Sequence, residues 1–152
     1  MSLKMAYYPY SKILLPLLIL SLINIIQITN AFTLNPKFTE RLVSDLPQYT
    51  PLLKVHCQSK DDDLGVRILK PGDQFDFSFH VNFAMTTLFH CSFLWGKKHQ
   101  NFDVFKPWGG YCGNLKMFQN GYCTWLMKDS GIFLALVRNP TPYDFQPVYA
   151  WL

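Results

Sequence analysis

The sequence predicts an all-β protein, a small disulfide-bonded β-sandwich of two antiparallel sheets. Three observations carry that expectation. Apolar residues recur at every second position over most of the chain, with no sustained helical period. The alternating runs are short and are separated by clusters of Gly, Pro, Asn and Asp. Thirteen Phe, eight Tyr and four Trp supply the large inward side chains that fill a layer about 10 Å thick between two facing sheets.

Met1 to Ala31 stands apart from this pattern. Lys4 and Lys12 precede an apolar run, Ile13 to Ile28, and Thr29-Asn30-Ala31 follows with small residues at its exit. A positive start, a short apolar stretch and a small-x-small exit predict a cleaved signal peptide over 1–31. The run falls short of the about 20 apolar residues that a spanning helix needs. Cleavage would remove two lysines and no acid, halving the formal charge of +4. The product would be secreted, extracellular and not inserted in a membrane. Its small charge excludes a strongly basic nucleic-acid binder, and its hydrophobic content of 49% excludes a disordered chain.

Residues 32–51, with Pro36, Pro47 and Pro51, read as an N-terminal arm, with Thr39 to Leu46 as a candidate helical turn. The sandwich domain is expected over 52–137. Leu53, Val55 and Cys57 alternate with Lys54, His56 and Gln58, and Ser59 to Gly65 is a polar acidic loop. Val66 and Ile68 flank Arg67, and Lys70-Pro71-Gly72-Asp73 has turn chemistry. Phe75, Phe77, Phe79 and Val81 then share one face, with Asp76, Ser78 and His80 on the other. Thr87, Phe89, Cys91, Phe93 and Trp95 share a face of the next strand. Gly96 to Gln100 reads as a loop, Asn101 to Phe105 as a short strand, and Pro107 to Gly110 as a turn. Cys123, Trp125 and Met127 alternate, Lys128 to Gly131 turns the chain, and Ile132 to Val137 is an apolar strand. Residues 138–152, with three prolines, read as a tail laid along the body. The count is six or seven strands.

Cys57, Cys91, Cys112 and Cys123 predict two disulfides in an exported domain of this size. Three pairings can be drawn. A local Cys112–Cys123 bridge is easy to close and would leave Cys57 with Cys91, but the sequence does not choose. No Cys-x-x-Cys pair points to zinc, and no metal or other cofactor is expected.

The motifs form an ordered series. Val55-His56-Cys57-Gln58-Ser59-Lys60-Asp61-Asp62-Asp63-Leu64-Gly65 comes first, then Leu69-Lys70-Pro71-Gly72 with Phe75-Asp76-Phe77-Ser78-Phe79. Thr87-Leu88-Phe89-His90-Cys91-Ser92-Phe93-Leu94-Trp95, Phe102-Asp103-Val104-Phe105, Cys112 and Cys123-Thr124-Trp125 follow. In this order and at these distances they resemble the plant self-incompatibility protein family, the S-protein homologues, over about Leu46 to Leu136. The resemblance implies a small secreted β-sandwich with two disulfides. It also implies a cell–cell signalling ligand. The family's founding members are pistil proteins of poppy that act on a pollen membrane protein, with calcium influx and arrest of the pollen tube. The family's usual hydrophobic-x-hydrophobic-x-Asn start is blurred here over Phe38 to Tyr49. The one glycosylation candidate, Asn139-Pro140-Thr141, is blocked by its proline.

Three consecutive acids, Asp61-Asp62-Asp63, lack the alternating spacing of a calcium loop and read as a solvated turn in which Asp63 caps the following amides. His56, His80, His90 and His99 show no pattern for paired acid–base chemistry on RNA, so no catalytic residue and no enzyme is expected. In a sandwich the loops carry recognition. Those loops are Asn82 to Met85, Gly96 to Gln100, Lys106 to Tyr111 and Asn114 to Gly121, and the second and third hold most of the basic and aromatic loop surface. Lys97, Lys98, His99, Lys106, Trp108 and Tyr111 are therefore the candidate partner-binding residues. The expected partner is a plasma-membrane receptor protein on another cell, with no nucleic acid involved. A secreted defence protein acting on microbes is the alternative, and the oligomeric state is left open.

Overall fold

The computed structural model describes residues 14–23, 35–113 and 119–152. Residues 14–23 are helical, and no helix among the described residues is long and apolar enough to cross a membrane. The remainder of the expected 1–31 leader lies outside the described residues.

The described residues hold nine strands: β1 (Lys37–Ser44), β2 (Leu53–Gln58), β3 (Asp63–Leu69), β4 (Gln74–His80), β5 (Phe89–Trp95), β6 (Lys98–Phe105), β7 (Gly121–Lys128), β8 (Gly131–Ala135) and β9 (Gln146–Tyr149). They form a five-stranded sheet of order β4-β1-β7-β8-β9 and a four-stranded sheet of order β3-β2-β5-β6. The expected sandwich is present, with one change of topology. The four-stranded sheet is antiparallel throughout, but β1 runs parallel to β7 in the other. That sheet is therefore mixed rather than purely antiparallel.

The largest correction concerns residues 32–51. The segment read as an arm with a helical turn contains β1, a central strand between β4 and β7. Its inward positions are Phe38, Glu40, Leu42 and Ser44, all buried. The period of two is intact, but two of the four inward side chains are polar, which hid it. Nor is 138–152 only a tail: it makes a single 3-10 turn at Pro142–Asp144 and then β9, which lengthens the sheet beyond β8. The loop expected over Gly96 to Gln100 shrinks to a two-residue turn, because β6 begins at Lys98. The acidic loop likewise ends at Asp62, where β3 takes over.

The aromatic surplus fills the space between the sheets. Phe79 of β4 packs on Phe89 and Phe105 of the opposite sheet, with ring centroids 4.4 and 4.8 Å apart. Phe102 of β6 does the same with Trp125 and Tyr149, at 4.8 and 4.3 Å. Such pairs add to the burial of their large apolar area. Cys57 and Cys91 are directly opposed on β2 and β5 and are bridged. Cys112 and Cys123 form the second bridge, tying the β6–β7 connection to β7. This is the local pairing of the three that could be drawn.

Candidate functional site

Strand direction sorts the connections onto two ends of the sandwich. Pairing of Phe89 with Phe105, and of Gln58 with His90, puts the β2–β3, β4–β5 and β6–β7 connections at one end. The tight β5–β6 turn lies at the other. The six candidate residues are therefore not one face. Lys97, Lys98 and His99 sit at the start of β6, and Lys106, Trp108 and Tyr111 follow its far end. Eight residues of strand at about 3.3 Å each separate them by roughly 25 Å.

The first group is tied into the fold. Lys98 Nζ donates to the Asp129 carbonyl oxygen at 3.2 Å and lies over the Trp95 ring. His99 exchanges two backbone hydrogen bonds with Leu152, both 3.0 Å. All three residues are nonetheless exposed, Lys97 in the turn itself. These residues close an end of the sandwich, where the chain terminus packs beside them.

The second group is on display. Trp108 is 62% exposed and Tyr111 54%. The loop that holds them is tightly folded: the Lys106 amide donates to the Cys112 carbonyl oxygen. A Cβ at Gly110 would stand 2.8 Å from the Lys106 carbonyl oxygen, so only glycine fits there. Trp108, Lys106 and Pro107 share a cleft with Met85, Thr86, Thr87 and Leu88 of the β4–β5 connection.

That neighbouring connection contributes a residue the sequence did not single out. Phe83 is 83% exposed, although its loop is held by four hydrogen bonds. The Asn82 amide donates to Thr87 Oγ1, Asn82 Nδ2 to Thr86 Oγ1, the Thr86 amide to Asn82 Oδ1, and the Met85 amide to the Asn82 carbonyl oxygen. Met85 takes a left-handed backbone, φ 54°, which a side chain adopts only when its surroundings enforce it. The signal in the sequence was Asn82 followed by Thr86 and Thr87, side chains that compete for local backbone groups. The Asn114 to Gly121 connection, also a loop candidate, lies in part outside the described residues.

The acidic motif spends itself on its own turn. Ser59 Oγ accepts the amides of Asp61 and Asp62, and Asp63 Oδ1 accepts the Gly65 amide at 2.8 Å. Asp63 also meets His56 Nε2 at 2.6 Å. The Gly65 amide, and after it His56, hold the Asp63 carboxyl below its ordinary range. His90 pairs with Asp103 at 2.9 Å, and His80 Nδ1 lies 3.0 Å from the Asn35 carbonyl oxygen. Each of these three histidines has its own local partner, and none converges on a shared reacting centre.

One buried polar cluster stands inside. Glu40 is fully buried, with Oε2 accepting the Trp125 indole N–H at 2.9 Å and Oε1 lying 3.0 Å from Cys112 Sγ. Burial raises its carboxyl well above the ordinary range, against the opposing pull of Trp125. Glu40, Cys112 and Cys123 are the one group among the described residues whose ligand atoms converge closely enough for a metal. Both sulfurs are spent in the disulfide, so the donor set does not fit one.

Comparison with known proteins agrees with this architecture. The model of the family described as plant self-incompatibility protein S1 matches residues 41–151. S-protein homolog 2 of Arabidopsis thaliana is 38% identical over 123 residues, which cover 81% of this chain and 73% of that protein. S-protein homolog 24 of the same plant is 37% identical over 83 residues, 54% of this chain and 51% of that protein. A solved Self-Incompatibility Protein Homologue, from what is described as "a widespread family of small, highly stable, secreted proteins from plants", superposes with a TM-score of 0.56 at 18% identity. The superposition covers 77% of this chain and 96% of that one.

Proposed function

We propose that this chain, which belongs to the plant self-incompatibility protein S1 family, is an exported signalling ligand that binds a plasma-membrane receptor protein on another cell. Phe83, Lys106, Trp108 and Tyr111, on the loop-rich end of the sandwich, form the contact. One observation carries the reading. Phe83 and Trp108 are large aromatics left in water on loops that are otherwise locked by hydrogen bonds and close packing. Aromatic anchors dominate protein interfaces, and holding them rigid before contact lowers the ordering cost of binding. The secreted character described for the solved relative and the leader-like start of the chain support an extracellular site of action.

The test uses purified, oxidised protein, applied labelled to plant cells and pollen tubes while cytosolic calcium is recorded. Saturable binding that Phe83→Ala with Trp108→Ala removes, and that Lys97→Ala with Lys98→Ala leaves intact, supports the reading. Equal binding by both double variants overturns the assignment of the surface. Absence of any plant-cell response, with inhibition of microbial growth at low concentration, overturns the signalling role in favour of defence.

A further inference from the structure

The two disulfides differ in what surrounds them. Cys57 and Cys91 are completely buried and are paired across neighbouring strands inside the four-stranded sheet. Cys112 and Cys123 are nearly as buried, at 1% and 2% exposure, but they lie between a buried carboxyl and a cleft. On one side, Glu40 Oε1 is 3.0 Å from Cys112 Sγ. On the other, Cys123 lines a cleft of about 370 Å³ together with Tyr111, Gly113, Tyr122, Val137 and Arg138.

A disulfide sulfur has no proton to donate, so the 3.0 Å contact is favourable only if Glu40 carries the hydrogen. Its surroundings enforce that state. Phe77 and Cys123 flank Glu40 in register on either side. The Trp125 indole occupies its second oxygen, and among the described residues no ion pair reaches it. A buried carboxyl without a cation stays neutral, because ionising it there costs several kcal/mol by order of magnitude.

We infer that Cys112–Cys123 is a thiol-exchange site, opened by a small carboxylate-bearing thiol through the cleft, with Glu40 as the internal proton donor. The thiol ionises to a thiolate, losing its proton to solvent, and attacks Cys123 Sγ. A mixed disulfide forms with Cys123, the Cys123–Cys112 bond breaks, and its electron pair leaves on Cys112 Sγ. Glu40 Oε1 transfers its proton to that sulfur, and the Trp125 N–H stabilises the carboxylate left behind. A second thiolate then attacks the mixed disulfide, releasing Cys123 as a thiolate that takes a proton from solvent, and Glu40 regains its own proton from solvent through the opened loop. The net change is two external thiols oxidised to one disulfide and the protein bridge reduced to two thiols. Leaving-sulfur protonation is the step such an acid assists, since a stabilised leaving thiolate departs faster. Arg138, whose guanidinium lies over the Tyr122 ring 5.1 Å from its centroid, supplies the positive charge in the cleft that a carboxylate-bearing thiol would meet. Opening the bridge would release the covalent tie beside Tyr111 and so alter the loop end proposed to bind.

The test treats the folded, oxidised protein with reduced glutathione at neutral pH, traps free thiols by alkylation and reads each bridge by peptide mass. In the wild type Cys112–Cys123 should open at least tenfold faster than Cys57–Cys91, by the usual size of acid assistance. Equal rates for the two bridges overturn the proposal, and need no variant. Glu40→Gln keeps a hydrogen-bond donor and an acceptor in place but has no proton to give. It should slow Cys112–Cys123 about tenfold or more and leave Cys57–Cys91 unchanged. An unchanged Cys112–Cys123 rate in a folded Glu40→Gln protein overturns the role of Glu40. Arg138→Ala should slow glutathione and spare neutral 2-mercaptoethanol; equal effects on both reagents remove the carboxylate preference.

Discussion

Asp63 Oδ1 sits 2.6 Å from Nε2 of His56 on the neighbouring strand, while the same oxygen accepts the Gly65 amide. One carboxylate thus fixes the start of β3 against β2, at the bulge where the register shifts between His56 and Gln58. The Asp63 carboxyl is held below its ordinary range by the Gly65 amide first and His56 second. A depressed carboxylate contributes its stability above the unfolded value of about 3.9 and loses it as pH falls through the lower folded value. The Gly65 amide should therefore lose hydrogen-exchange protection only below about pH 4, and Asp63→Asn should flatten that dependence. Protection that changes between pH 5 and 8 and is constant below pH 4 would refute the linkage.

Glu40 predicts the opposite sign. Its carboxyl is raised by burial, so its favourable contribution is complete below the unfolded value of about 4.3 and is lost as pH rises toward the folded value. Glu40→Gln keeps an acceptor for the Trp125 N–H and does not ionise. Denaturant midpoints of the two proteins should nearly coincide at pH 4 and separate in favour of the variant as pH rises. A difference independent of pH would mean that Glu40 is ionised in the fold.

Glu40 also explains why β1 is hidden in the sequence. The strands with apolar inward faces were legible because Phe75, Phe77 and Phe79, or Cys123, Trp125 and Met127, keep the period in their side chains. In β1 the inward set includes Glu40 and Ser44, and Ser44 Oγ is buried with no hydrogen-bond partner among the described residues. An acid and a serine at inward positions look like a loop until Trp125 and the disulfide are seen to receive the acid. Phe83 is hidden for the converse reason. A lone Phe beside three alternating phenylalanines looks like core, and only the turn built by Asn82 turns it outward. Separation of Lys97 from Trp108 depends on strand direction, which no local pattern states.

Removing the bridges should cost unequal amounts. They close loops of 34 and 11 residues in sequence separation, worth about 4 and about 3 kcal/mol by chain entropy. Cys57→Ala with Cys91→Ala should therefore lower unfolding free energy by about 1 kcal/mol more than Cys112→Ala with Cys123→Ala. Guanidinium unfolding of the two double variants decides it, and a larger loss at Cys112–Cys123 would contradict the expectation.

The loop end can be altered without touching the core. Phe83 and Trp108 are exposed, so Phe83→Ala with Trp108→Ala should move stability by no more than about 0.5 kcal/mol each. Asn82→Ala is different, because it strips the side-chain hydrogen bonds to Thr86 and leaves Met85 in a strained backbone. It should cost about 1–2 kcal/mol and raise exchange at the Thr86 amide. Matching melting curves for Asn82→Ala and the wild type would show that the loop is not built by Asn82.

The last residues act as a clasp between the two sheets. Trp151 Nε1 donates to the Lys128 carbonyl oxygen at 2.6 Å, and its ring lies 5.9 Å from that of Trp95, centroid to centroid. Leu152 pairs with His99, and Gln100 Nε2 donates to the Ala150 carbonyl oxygen. The segment after β9 thus binds the β6 edge of one sheet while holding the β7–β8 turn of the other. It also occupies backbone groups that an edge strand would otherwise expose. Trp151→Phe keeps one aromatic ring but loses the N–H and part of the indole's packing area, and should cost about 1–2 kcal/mol. Trp151→Ala removes a half-buried indole as well and should cost about 2–4 kcal/mol. The same variant should speed exchange of the His99 amide, whose partner is one residue away. If Trp151→Ala unfolds at the wild-type denaturant concentration, the clasp contributes nothing and β6 is held by β5 alone.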